Sequence, residues 1–253
     1  MTDTVIPREG AQLKLERTPR RRWSPARVGG SVVLAAWATL FWFLLLTGRD
    51  AFYLSTRTTW VVPVAAVLLT VAAVGRVVTA RAPVAEPIER KELGVMVAMV
   101  VPVLIVMVLP AATLGSFSAG KRAGFAGSGV SASASDIGSG ELTLVDVAAA
   151  QTTPEGEKAL AKRAGDTVQF VGFVTRYADT PADEFLLTRY VVTCCVADAT
   201  VAQVRVVNVT PGAYEDNQWV DVRGTIFPLG REVIVNASAV SGISRPDRPY
   251  LSA

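Results

Sequence analysis

The chain contains no histidine and only two cysteines. The first absence removes the commonest general base and the commonest metal ligand. A Ser-His-Asp triad, a cysteine–histidine pair and a histidine-based zinc site are therefore impossible within this chain. Two cysteines cannot build a four-cysteine zinc site unless another chain contributes ligands. The two are adjacent, Cys194-Cys195, so the C-x-x-C spacing of dithiol oxidoreductases is missing as well. These absences make an enzymatic role a poor expectation. Long unbroken apolar runs are also missing from the C-terminal half, whereas the N-terminal half holds three of them.

Those three runs cover residues 28–46, 60–78 and 93–114. Each is near the roughly 20 residues needed to cross a hydrocarbon core of about 30 Å. The first carries no charge, and the second only Arg76 near its end. Core helices of a soluble protein do not show three such runs, so a three-helix transmembrane region over 28–114 is predicted. A signal peptide explains the first run less well. Its apolar stretch exceeds the usual 7–15 residues or so, and Thr47-Gly48-Arg49-Asp50 offers no small-x-small cleavage site. Pro102 and Pro110 in the third run free backbone carbonyls that a neighbouring helix or water must satisfy.

Lysine and arginine set the expected orientation. The tail over residues 1–27 holds Arg8, Lys14, Arg17, Arg20, Arg21, Arg22 and Arg27. The second connection holds Arg76, Arg81, Arg90 and Lys91, and the first only Arg49 and Arg57. The tail is thus expected in the cytoplasm, touching anionic lipid, with everything after the third span outside the cell membrane. Lys121 and Arg122 oppose this weakly.

Residues 115–140 are rich in Gly, Ser and Ala and read as a flexible tether, able to let the outer domain move. Residues 141–253 turn globular. A short helix is expected over 155–163, then five β-rich runs over 167–176, 184–194, 199–209, 218–227 and 232–240. Gly172 and Gly224 interrupt two of them and suit bulges or bends. Five short strands with glycine bends predict a small all-β barrel of OB type, with a β-sandwich as the alternative. An OB barrel raises nucleic-acid binding. Acidic residues are mixed among the basic ones, and the domain is expected outside, so no nucleic-acid partner is expected.

Adjacent cysteines on a strand point to opposite faces, which would send one of Cys194 and Cys195 into the barrel. Three readings stay open. The pair is two small apolar side chains, or a strained, redox-sensitive dithiol, or a soft-metal site with Asp198 and ligands from another chain.

The block FLLTRYVVTCCVADA follows VQFVGFV and precedes WVDVRGTI and the terminal PYL. Together with LLLTGRDAFYL before the second run, it resembles the YcgQ-like family of bacterial membrane proteins. The resemblance spans most of the chain except the arginine-rich tail and the tether. It implies a small subunit paired with a polytopic YcgR-like permease in a two-component system, and a link with metal homeostasis. It singles out Arg189, Tyr190, Cys194, Cys195, Ala197 and Asp198, with Gly172 and Gly224 as structural positions. The expectation is an accessory permease subunit. The alternative is an extracytoplasmic soft-metal-binding module.

Overall fold

The computed structural model describes residues 22–82, 87–109, 113–121, 137, 140–230 and 232–252. Most of the basic tail, Pro110, Arg122 and the middle of the tether lie outside the described residues. Three helices, α1 (Pro25–Thr47), α2 (Val61–Val78) and α3 (Arg90–Val108), are long and apolar enough to cross a membrane. Pro25 opens α1, where a missing N–H is harmless. Gly48 closes it in the left-handed conformation, with φ 66°, returning its N–H to the Leu44 and Leu45 carbonyls. A reciprocal Glu89–Glu92 capping box starts α3. The third span was expected to run to residue 114 but stops at Val108. Leu109 precedes a proline, which disfavours helical backbone, and it is extended at φ −72°, ψ 139°.

Small and polar side chains bring the helices together. A Cβ at Gly29 of α1 would sit 2.7 Å from the Met96 sulfur of α3. The Trp42 indole N–H of α1 donates to the Thr70 hydroxyl of α2 at 3.1 Å. At the other end of α1, β1 (Arg22–Trp23) pairs antiparallel with β2 (Arg81–Ala82). The start of α1 and the end of α2 therefore lie side by side.

The C-terminal region is a closed five-stranded barrel, as expected. Its strands are β3 (Thr167–Thr175), β4 (Phe185–Val192), β5 (Thr200–Val207), β6 (Trp219–Leu229) and β7 (Glu232–Gly242). The ladder runs β3-β6-β7-β5-β4 and closes through β3–β4. Only β5–β7 is parallel among these five. This is the Greek-key strand order of an OB barrel. A two-residue β8 (Leu251–Ser252) adds in parallel to β4. Along β6, Val220, Val222 and Ile226 are buried while Asp221, Arg223 and Thr225 are not, the period-2 pattern that seats one strand face on a core.

Between the span region and the barrel lie a single helical turn, α4 (Ser116–Ala119), and two short helices, α5 (Leu144–Ala150) and α6 (Pro154–Ala161). Only the last lies where a helix was expected. A Thr143–Asp146 capping box nucleates α5, which buries Leu144 and Val147 in the barrel core. The ends of the tether are not free. Ala119 packs beside Phe173, Tyr190 and Tyr250, and Ile137 is fully buried in the main core. Arg163 ties the far end down by donating to the Ile137 and Gly140 carbonyls at 2.8 and 3.0 Å.

Candidate functional site

The strand that approaches the cysteines ends early. β4 stops at Val192, not at 194 as expected, because a side chain outcompetes the ladder for its backbone donors. One carboxylate oxygen of Asp198 accepts from the Thr193 N–H at 2.9 Å. The other accepts from Cys194 N–H at 2.8 Å and Cys195 N–H at 3.2 Å. Asp198 thereby winds residues 193–198 into a tight turn, closed by a short 3-10 helix over Val196–Asp198. The expectation that one cysteine faces the barrel interior is corrected by this turn. Cys194 is exposed, and Cys195 is half-buried at the barrel's rim.

Both cysteines are thiols, with sulfurs 3.7 Å apart. The two sulfurs and a carboxylate oxygen of Asp198 all lie within 4.8 Å of one another. The hydrogen bond between the Cys194 thiol and Asp198, followed by that to Cys195, pushes the Cys194 thiol up to about 11. For Asp198, partial burial pulls upward. The hydrogen bonds from the Cys194 thiol and from the three N–H groups outweigh it, leaving the carboxyl below its ordinary range. The arrangement thus holds a protonated Cys194 thiol against an ionised Asp198 carboxylate at neutral pH.

The same turn is fastened to the connection between α1 and α2. Ser55 N–H donates to the Cys194 carbonyl at 3.2 Å, and the Thr58 hydroxyl donates to it at 2.6 Å. The Ser55 hydroxyl donates to the Thr193 carbonyl at 2.9 Å, and Val196 N–H donates to the Tyr53 carbonyl at 2.8 Å. Leu54 and Cys195 form an antiparallel bridge. Nearby, Thr56 N–H donates to the Ser252 hydroxyl at 3.0 Å, and the Arg245 guanidinium lies 4.8 Å from the Phe52 ring centre. Of residues 53–58, only Arg57 entered the sequence reading, for its charge. The family-like LLLTGRDAFYL also runs through Tyr53 and Leu54, and neither signal pointed to a contact with the cysteine turn.

Residues 132–252 match the DUF1980 C-terminal domain. A comparison with curated proteins finds no match. The matched stretch begins at residue 132, and Ile137 within it is buried in the main core. It takes in α5, α6, the whole barrel and the cysteine turn, and leaves the three long helices outside.

Within the matched region the remaining singled-out residues have separate places. Arg189 donates to the carbonyls of Pro249, Arg248 and Val171 at 3.2, 2.8 and 3.4 Å, and stands over the Trp219 ring. Burial pulls its guanidinium below the usual arginine range. It clamps the C-terminal segment to the barrel and does not approach the thiols by any of these bonds. Tyr190 is buried against Phe173 and Tyr250, and its hydroxyl donates to the Gly115 carbonyl at 2.7 Å. The Tyr250 hydroxyl accepts from Leu114 N–H at 3.1 Å. These two tyrosines seat the chain as it leaves α3. Ala197 lies exposed in the cysteine turn. Gly172 sits where β3 passes over β4, and a Cβ there would lie 2.7 Å from the Thr188 carbonyl oxygen. Gly224 follows a register shift in the β6–β7 ladder, and a Cβ there would overlap the Asn236 carbonyl.

Proposed function

We propose that this chain is an accessory subunit of a membrane permease complex, non-catalytic itself, with its barrel outside the cytoplasm. The observation that carries the reading is a contrast within the membrane region. The long helices are mostly uncovered, with 17% of the apolar stretch buried in α1 and α2 and 6% in α3. Their ionisable residues, Arg27, Arg76, Arg90, Lys91 and Glu92, all lie near helix ends. Transport pathways place ionisable groups at mid-membrane and build sites from repeats or broken helices. This chain supplies neither in its described residues. It supplies bare helix faces suited to a larger polytopic subunit, of the YcgR-like kind, and to lipid. The test is purification of the tagged full-length chain in mild detergent, with mass spectrometry of what accompanies it. A stoichiometric polytopic membrane protein is expected. A monomer that carries out the cellular function without any partner overturns the reading.

The convergence of two thiols and a carboxylate favours a second reading, a soft-metal-binding module. Titration of the reduced full-length protein with thiophilic ions tests it. Unchanged binding in Cys194→Ser and Cys195→Ser would remove the site.

A further inference from the structure

We infer that the cysteine turn is a two-sulfur site for a monovalent soft cation, of the Cu(I) and Ag(I) class. The inference rests on the metal-binding reading above and deepens it by fixing the coordination. It starts from the donors that are free to bind. Asp198 is close enough to be a ligand, but its oxygens already accept three N–H bonds, from Thr193, Cys194 and Cys195. Hydrogen bonds to an ionised acceptor are stronger than neutral ones, so turning the carboxylate toward a metal would dismantle the turn that presents the sulfurs. The nearby hydroxyls of Ser55 and Thr58 are spent on the Thr193 and Cys194 carbonyls. The chain has no histidine and no third cysteine.

Two sulfurs therefore remain, 3.7 Å apart, one exposed and one half-buried. A structural zinc site takes four protein ligands and a catalytic one three, so a two-sulfur set leaves zinc half-ligated. A filled-shell monovalent ion is satisfied by two thiolates, and thiolate donors select such soft ions over hard ones. Binding is a proton exchange without electron transfer. Two S–H bonds break, two metal–sulfur bonds form, two protons leave to solvent, and a monovalent ion with two thiolates gives a complex of charge −1. Asp198 acts as a positioning residue, through its hold on the backbone of both cysteines.

The experiment uses the reduced full-length protein in mild detergent. Cu(I) is delivered in competition with a Cu(I)-selective chelator. Ag(I) serves as a redox-inert probe, and Zn(II) is titrated in parallel. Expected are one Cu(I) or Ag(I) per chain, held at least about a hundredfold more tightly than Zn(II). X-ray absorption should show a two-sulfur shell with no oxygen or nitrogen scatterer. Cys194→Ser and Cys195→Ser should each abolish retention. The double variant controls for adventitious ions, and circular dichroism shows that each variant is folded. Asp198→Asn, which keeps one acceptor oxygen, should retain the two-sulfur shell. Zn(II) bound as tightly through the same cysteines would overturn the monovalent assignment and leave the metal reading standing. An oxygen scatterer lost in Asp198→Asn would overturn the two-sulfur site. If no ion is retained by the wild-type chain, both fall.

Discussion

Asp198 decides what the cysteines are. Its carboxylate captures three consecutive N–H groups and so converts the end of a strand into a turn. The same carboxylate holds the Cys194 proton, keeping the thiol up at about 11. Alkylation proceeds through the thiolate. Iodoacetamide should therefore react slowly with Cys194 at pH 8, and the rate should climb until pH passes about 11. Asp198→Asn removes the charge and should move that midpoint down. An unchanged midpoint in the variant would refute the coupling. The linkage runs in opposite senses for the two groups. The raised Cys194 contributes stability that is intact below the ordinary thiol range and is lost as pH rises through about 11. The depressed Asp198 contributes stability that is intact above the ordinary carboxylate range and is lost as pH falls through its lowered value. The turn is thus held best between those two ranges. Gly172 gives a second test at this scale. A methyl group 2.7 Å from the Thr188 carbonyl forces strand movement, so Gly172→Ala should destabilise the barrel by about 1–3 kcal/mol and lower its melting temperature. Gly172 and Gly224 were legible in the sequence as interruptions of apolar strands. The placement of the cysteines was not. Apolar character continues through Val191-Val192-Thr193-Cys194-Cys195, and hydropathy does not register a carboxylate four residues downstream competing for backbone donors.

At the scale of elements, the central contact joins the turn after β4 to the connection between α1 and α2. Four hydrogen bonds cross it through Ser55, Thr58 and Val196, two of them from side-chain hydroxyls. A neutral hydrogen bond contributes about 1 kcal/mol. Removing both hydroxyls in Ser55→Ala with Thr58→Val should therefore weaken the joint by about 2 kcal/mol, near a thirtyfold rise in local opening. Hydrogen exchange in detergent reads this at the Ser55 and Val196 amides, which should lose protection while the β6–β7 ladder keeps it. Equal loss in both places would mean that the barrel unfolds as a whole. Unchanged exchange would mean that the joint is held by other contacts. Strands were legible from local patterning, because period-2 burial is a property of a few neighbouring residues. The joint was not, because its halves are 138 residues apart at Ser55 and Thr193 and neither carries an apolar signal. The chain leaving α3 shows a related limit of composition. Gly, Ser and Ala composition reports how little apolar area a segment can bury on its own. It does not report that Tyr190 and Tyr250 reach out to the backbone of Gly115 and Leu114.

For the whole molecule, the joint constrains topology more strongly than charge counting does. The start of α1 and the end of α2 are tied by the β1–β2 pair, so the α1–α2 connection lies at the far end of both helices. The barrel is fastened to that far end. α3 starts at Arg90, shortly after β2, and the chain beyond it reaches the barrel at Leu114, which donates to Tyr250. α3 must therefore run from the near end to the far end. If it lay along the surface, it would leave the barrel on the wrong side for the joint. If all three helices cross, the number of crossings is odd, and the Arg and Lys of the tail and the α2–α3 connection predict that the near end faces the cytoplasm. The exposed thiol makes this testable without labelling the barrel artificially. A membrane-impermeant maleimide applied to intact cells, with the outer envelope made permeable, should modify Cys194 at mildly alkaline pH. A cysteine placed in the tail, Thr4→Cys in a Cys194→Ser, Cys195→Ser background, should react only after the inner membrane is opened. Protection of Cys194 together with labelling of the tail would invert the molecule. It would also turn the soft-ion site toward the cytoplasm, where the accessory role would be delivery to a partner and not capture from outside.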